Sequence, residues 1–251
     1  MTALRAVFWD VDGTLADTEM EGHRPAFNQA FRDLGLPFHW NKDLYAELLA
    51  IAGGIPRVVN YAADQGIILT ERQLNRLRDL KREHYLARVL DGHVPWRPGV
   101  VRVVNELHAH NIQQWIVTSS GGASVQALLN QARGILPDFD GVVTSDDVAA
   151  GKPNPDGYRL ALKRSGAAPS CGLAMEDSAV GLKAATTAGL ACVLTPSPWD
   201  QELAETDHLA TAVLNHLGER GNPSLVEQGP PCLDSMVTVN YMESLLAQSQ
   251  S

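Results

Sequence analysis

The sequence predicts an α/β fold, a doubly wound parallel sheet interrupted early by one helical insertion, and three observations carry that reading. From Trp96 to Thr195 short apolar runs alternate with amphipathic segments of helical period. Between residues 17 and 92 apolar residues recur at three- and four-residue spacing with no convincing strand. The first strand-like run ends abruptly in two aspartates with one valine between them, Asp10 and Asp12.

Taken in order, the chain opens with the strand-like LRAVFWD. A helical pattern starts near Glu21 and runs through Phe27, Ala30, Phe31 and Leu34 to LGLP. Further helices are expected in DLYAELLAIAG, IPRVVNYAADQG and TERQLNRLRDLKREHYLARVL, the last opening on a capping box of Thr70 with Gln73. From WRPGV onward the order is helix 99–110, strand QQWIVTSS, helix 122–132, strand GVVTS, helix 154–165, strand GLAMED, helix 178–188 and strand ACVLT. Right-handed crossovers joining such strands build a parallel sheet with helices on both faces. The expected architecture is a Rossmann-like α/β core formed by residues 1–16 and 93–220, a helical insertion at 17–92, and a turn-rich tail at 221–251 that reads as a surface extension ending in VNYMESLLAQ.

With 251 residues, 45% of them hydrophobic, the chain can bury a real core. Twenty Lys and Arg against 29 Asp and Glu give a formal charge of -9, which disfavours nucleic acid and anionic membrane surfaces as partners. A small-molecule ligand is expected instead, and an anionic one must find a local positive site. Cys171, Cys192 and Cys232 are odd in number and lack metal-ligand spacing, so they read as buried or incidental thiols, with no zinc site. No apolar run approaches the roughly 20 residues that span a bilayer, and a cytoplasmic monomer is the expectation.

Ligands of open parallel sheets bind beyond the carboxyl ends of the strands. Four segments with polar chemistry gather on that rim: Asp10-Val11-Asp12-Gly13-Thr14, Thr118-Ser119-Ser120, GKPNPD with Lys152, and Glu176-Asp177-Ser178. Asp10 can attack phosphorus and divide a hard hydrolysis into two displacements. Asp12, two residues on, can protonate the leaving alcohol and later deprotonate the attacking water. Mg²⁺ would neutralise the clustered acids, with Asp10, Asp12, Glu176 and Asp177 as its candidate ligands. Lys152 can balance the transferring phosphoryl group, and Thr118, Ser119 and Ser120 at a helix start offer hydroxyl and N–H donors to phosphate oxygens.

Each segment also has a plainer reading. DVDGT could form a turn or a calcium loop with Asp10, Asp12 and Glu21 at positions 1, 3 and 12, although Leu15 stands where such a loop needs glycine. VTSSGG and EDS could be helix caps, and Lys152 a solvated lysine. The order and spacing of all four together favour phosphoryl transfer.

These motifs resemble those of the haloacid dehalogenase superfamily of phosphohydrolases. The resemblance covers essentially the whole chain, and implies Asp10 as nucleophile, Asp12 as acid/base, Thr118 as phosphate ligand, Lys152 as the lysine and Glu176-Asp177 as the acidic metal motif, with a helical cap after the first motif. More narrowly, DTEMEGHRPAFNQAF, GGIPR, LKREHY and WRPGV are similar to the CbbY-like group, sugar-phosphate phosphatases that hydrolyse xylulose 1,5-bisphosphate. In the cap, Gly53 and Gly54 would let backbone approach a ligand, Arg57 has the fork for a second phosphate with Lys81 assisting, and Glu19 and His23 could meet sugar hydroxyls. For Arg57 and Lys81 the plainer reading is a solvated helix face. A β-phosphoglucomutase-type mutase is the alternative enzyme, and a metal- or calcium-binding module the non-enzymatic one.

Overall fold

The computed structural model describes residues 3–51, 53–197 and 207–248; Ala52, in the expected AGGIPR loop, lies outside them. The chain divides into two compact units, with the insertion running from Asp17 to Pro95.

In the first unit a seven-stranded sheet has the order β3-β2-β1-β4-β5-β6-β7. Its centre is β1 (Ala6–Trp9), all four residues buried, flanked in parallel by β2 (Gln113–Val117) and β4 (Gly172–Glu176). An uninterrupted apolar run is what a strand covered on both faces requires. Further out lie β3 (Gly141–Val143) beside β2, and β5 (Ala191–Leu194) beside β4. The connecting helices of this unit are α5 (Val100–Ala109), α6 (Gly122–Ala132), α7 (Asp156–Ser165) and α8 (Ala179–Thr187). Strand β2 stops three residues short of the expected end, because Thr118 to Gly121 leave the ladder to form the loop that opens α6.

Two short strands escaped the periodicity. Strand β6 (Ala212–Leu214) pairs with β5 in parallel, and β7 (Val226–Gln228) closes the edge antiparallel to β6. The tail is therefore not the surface extension expected for 221–251. It supplies the edge strand and a helix, α9 (Val239–Gln248), whose Val239, Tyr241, Met242, Leu245 and Leu246 are buried. At roughly 25 cal/mol per Å², that apolar face is a substantial stabilising contact.

The second unit opens with one turn of π-helix (Glu19–His23), followed by α1 (Arg24–Asp33), α2 (Lys42–Leu48), α3 (Gly54–Asp64) and α4 (Glu71–Leu90). Its core is aromatic: Trp40 packs 5.0 Å from the Phe27 ring and 4.8 Å, edge-on, from Phe31. Asn28 fixes the Trp40 backbone by accepting from its N–H and donating to its carbonyl, both at 2.8 Å. The capping box of Thr70 and Gln73 forms as the sequence predicts. Residues 93–95, assigned to the core from sequence, belong with the insertion, where the Asp17 N–H donates to the Pro95 carbonyl at 3.0 Å. No helix of the described residues is long and apolar enough to cross a membrane.

Candidate active site

The rim of the first unit is assembled from loops that leave successive strand ends. After β1 the chain turns tightly, with Leu15 N–H donating to Val11 O and Gly13 N–H to Ala16 O. Gly13 has φ +81°, and a Cβ there would sit 2.0 Å from Oδ2 of Asp177, so both the backbone conformation and the close approach demand glycine. This contact brings the end of β1 against the residue that follows β4.

Asp10 is buried and receives Lys152 Nζ at 2.5 Å; the same ammonium lies 2.6 Å from Oε1 of Glu176. Tyr158, wholly buried on α7, donates its hydroxyl to Oε1 of Glu176 and presents its ring 5.4 Å from the Lys152 ammonium. Oε2 of Glu176 packs against Gly181, where a Cβ would lie 1.9 Å away, and accepts no hydrogen bond among the described residues. Carboxylate oxygens of Asp10, Glu176 and Asp177 come within 4.8 Å of one another.

Burial dominates the electrostatics. It pushes the Asp10 carboxyl up to about 7, against the opposing pull of Lys152 and with help from Glu176 and Asp12. Asp177 is pushed well above the usual carboxylate range by burial, with Asp10 and Glu176 adding to it. For Lys152 burial acts to lower the pKa, but Asp10 and Glu176 outweigh it and raise the group above an ordinary lysine. One ammonium thus faces three buried acids. All-oxygen donors, an excess of negative charge and the orphaned Glu176 oxygen fit a small hard cation such as Mg²⁺.

Asp12, expected in the same ligand set, has a different setting: its Oδ2 accepts from the Ser120 hydroxyl. Ser120 is fixed in turn, its N–H donating to Oγ1 of Thr118 at 3.0 Å. Ser120 is thus hydrogen-bonded to one of the rim acids. The N–H of Gly122, in the first turn of α6, is taken by Oδ2 of Asp146 at 2.9 Å. Ser119 lies across from Gly151, whose Cβ would be 3.8 Å from its hydroxyl.

Within the second unit the expected residues converge. Glu19 accepts from the Tyr45 hydroxyl at 2.6 Å, and Tyr45 also accepts from Arg57 Nη1 at 3.1 Å. Lys81 Nζ lies 5.2 Å from the Phe27 ring and 5.4 Å from that of Tyr85, while Tyr85 sits 4.2 Å from the His23 ring. Gly54 rests on Phe27, where a Cβ would come within 2.8 Å of Cζ. Burial, then Lys81 and Arg57, lower the His23 pKa well below its usual value, so His23 is neutral at pH 7. Arg57 is not the solvated residue of the plainer reading. It is 6% exposed and also donates to the carbonyls of Leu48 at 2.9 Å and Ile51 at 3.3 Å. A buried cation must satisfy its donors, and these bonds make Arg57 a brace for the α2–α3 connection before anything else.

Three residues of these sites were not foreseen. Tyr158 reads as one more apolar position on the buried face of α7, Asp146 as an ordinary loop acid, and Arg97 as a cation in a turn. Only the proximity of Tyr158 to the GKPNPD segment could have singled it out.

A paired lysine and buried acids stand together at the carboxyl ends of parallel strands. The chain belongs to the haloacid dehalogenase-like hydrolases, whose family model matches residues 4–189, and is an enzyme of phosphatase type. It is 36% identical over 228 residues to the plasmid protein CbbY of Cupriavidus necator, covering 88% of each chain. Among solved structures it is similar to CbbY from Rhodobacter sphaeroides in complex with phosphate, at 35% identity and a TM-score of 0.67 over 79% of this chain and 88% of that one. The D10N mutant of that CbbY, in complex with xylulose-(1,5)bisphosphate, matches at 34% identity and the same TM-score over 79% and 89%.

Proposed function

We propose that this protein is a Mg²⁺-dependent phosphatase of a small sugar bisphosphate, of the xylulose 1,5-bisphosphate type, working through an aspartyl phosphate on Asp10. The observation that carries the proposal is Lys152 held between Asp10 and Glu176, with Asp177 in the same oxygen cluster and Asp12 held apart by Ser120. The bisphosphate is supported by the ligand of the similar CbbY structure and by the Lys81 ammonium in the insertion.

In this reading an Asp10 oxygen attacks phosphorus as the bond from phosphorus to the sugar oxygen breaks, and the proton of Asp12 goes to the departing oxygen. Water then attacks the phosphorus of the aspartyl phosphate, Asp12 takes its proton, and the carboxylate of Asp10 is regenerated as phosphate leaves. Lys152 keeps Asp10 oriented and compensates negative charge as it develops. Asp10, Glu176 and Asp177 would hold Mg²⁺, which when bound supplies charge neutralisation and alignment of the phosphoryl group. The three free cysteines support a reducing, cytoplasmic setting.

Phosphate release from purified protein, measured over pentose and hexose mono- and bisphosphates with and without chelator, tests the reading. It predicts Mg²⁺-dependent release with a bisphosphate preferred. Interconversion of sugar phosphates without net release would favour a mutase, and release in excess chelator would contradict the metal assignment.

A further inference from the structure

Arg97 leaves the expected architecture unexplained, for it lies in the turn before α5, outside all four motifs, yet its guanidinium reaches three separate loops of the rim. Nη1 donates to the carbonyls of Gly13 and Thr195, the latter at 2.6 Å, and lies 3.3 Å from the Thr195 hydroxyl. Nη2 donates to the carbonyls of Pro196 at 3.2 Å and Asn215 at 3.0 Å. Its own N–H donates to Leu15 O at 2.9 Å. A planar fork with fixed donor directions is what such convergence requires, and an ammonium could not reproduce it.

The loops it joins carry the acids. Gly13 follows Asp12 and touches the Asp177 carboxylate across the space a Cβ would fill. The other loop is tied to the end of β4: Thr195 N–H donates to Glu176 O at 2.7 Å and Ser197 N–H to Asp177 O at 3.2 Å. The guanidinium charge also acts favourably on the Asp177 carboxylate. Arg97 thus joins the backbone that presents Asp10 to the backbone that presents Asp177.

We propose that Arg97 is a positioning residue that sets the separation of the Asp10 and Asp177 carboxylates, and so the affinity of the site for its divalent cation. This rests on the reading of the acid cluster as a Mg²⁺ site. Groups that orient metal ligands from behind typically change metal affinity 10- to 100-fold when altered, so Arg97→Lys, which keeps the charge and loses the fork, weakens Mg²⁺ binding by at least about tenfold.

The experiment is calorimetric titration of Mg²⁺ into metal-free wild type, Arg97→Lys and Arg97→Gln, alongside urea unfolding without metal and kcat and KM across Mg²⁺ concentrations. The expected result is a weaker Mg²⁺ Kd in both variants, a Mg²⁺ activation midpoint shifted equally, KM for substrate nearly unchanged, and kcat largely restored at saturating Mg²⁺. A lower urea midpoint with wild-type Mg²⁺ affinity in a variant that folds would overturn the proposal and leave Arg97 a structural clamp. Loss of fold in both variants would do the same. Absence of Mg²⁺ binding to wild type would remove the cation reading itself, a failure visible before any variant is compared.

Discussion

Lys152 places its ammonium 2.5 Å from Oδ1 of Asp10, and both side chains are only 9% exposed. A buried pair of this kind is held in place by what happens when one partner is removed: the remaining charge is stranded at a cost of about 3 to 5 kcal/mol. Lys152→Met strands Asp10 and Glu176 together. It is expected to abolish turnover and to lower the stability of the metal-free protein by about 3 kcal/mol at pH 8. The loss should shrink at pH 5, where Asp10 takes up a proton; urea unfolding at the two pH values measures it, and an equal loss at both would count against the pairing.

Asp10→Asn should also abolish turnover, with the opposite effect on stability, because Lys152 keeps Glu176 as its counter-charge at 2.6 Å. The Asp10 carboxyl is raised from 3.8 to about 7 on folding, through burial first and then Glu176 and Asp12 against Lys152. A group whose folded pKa is raised favours folding below its unfolded pKa, and that contribution is lost as pH climbs from about 4 through 7. The metal-free wild type should therefore lose stability across this window, whereas Asp10→Asn should lose less and melt higher at pH 8, by on the order of 1 kcal/mol or about 2 to 4 °C. Parallel pH profiles of Tm for the two proteins would contradict the electrostatic account.

Ser120 donates to Asp12, so its hydroxyl should matter through the acid it orients. Ser120→Ala is expected to lower kcat about tenfold for an alkyl phosphate, whose leaving oxygen needs a proton, and much less for an aryl phosphate, whose leaving group does not. Equal losses on the two substrates would return Ser120 to the phosphate-binding role expected from sequence.

In the insertion the two cations should separate. Arg57 braces Leu48, Ile51 and Tyr45, so Arg57→Ala is expected to destabilise that unit and to impair every substrate. Lys81, whose ammonium lies over the rings of Phe27 and Tyr85, serves as the reporter of a second phosphate. Lys81→Ala should reduce kcat/KM for a sugar bisphosphate roughly 10-fold or more, the range of one charge-assisted hydrogen bond, and leave a monophosphate nearly unchanged. Loss on both substrates alike would remove the support for bisphosphate recognition.

The sequence carries most of the parallel sheet because β1, β2, β4 and β5 are four or five residues long, apolar and each followed by a change to polar chemistry. Strands β6 and β7 are three residues each, like β3, but lie past the regular alternation of strand and helix that marks β3, and β7 exists only through its pairing with β6. The rim motifs were legible for the same reason as the strands they terminate. What lies behind them was not. Tyr158 follows the 3.6-residue period of a core position, and nothing local says that its hydroxyl meets Glu176. Arg57 has the chemistry of a phosphate ligand at any exposure, and only the fold reveals that carbonyls of the preceding loop take its donors. Arg97 draws its importance from residues 84, 98 and 118 positions away in sequence, a relationship no linear pattern contains.

The central claim is that Asp10 carries the phosphoryl group. Rapid quench of wild type during turnover of a sugar bisphosphate, followed by peptide mapping, tests it most directly. The account predicts a hydroxylamine-sensitive phosphoryl adduct on Asp10 of the wild type that is absent from Asp10→Asn and much reduced in Asp12→Asn, where the departing sugar oxygen lacks its proton donor. Phosphate release by Asp10→Asn at saturating Mg²⁺, or an adduct on any other residue, would contradict it.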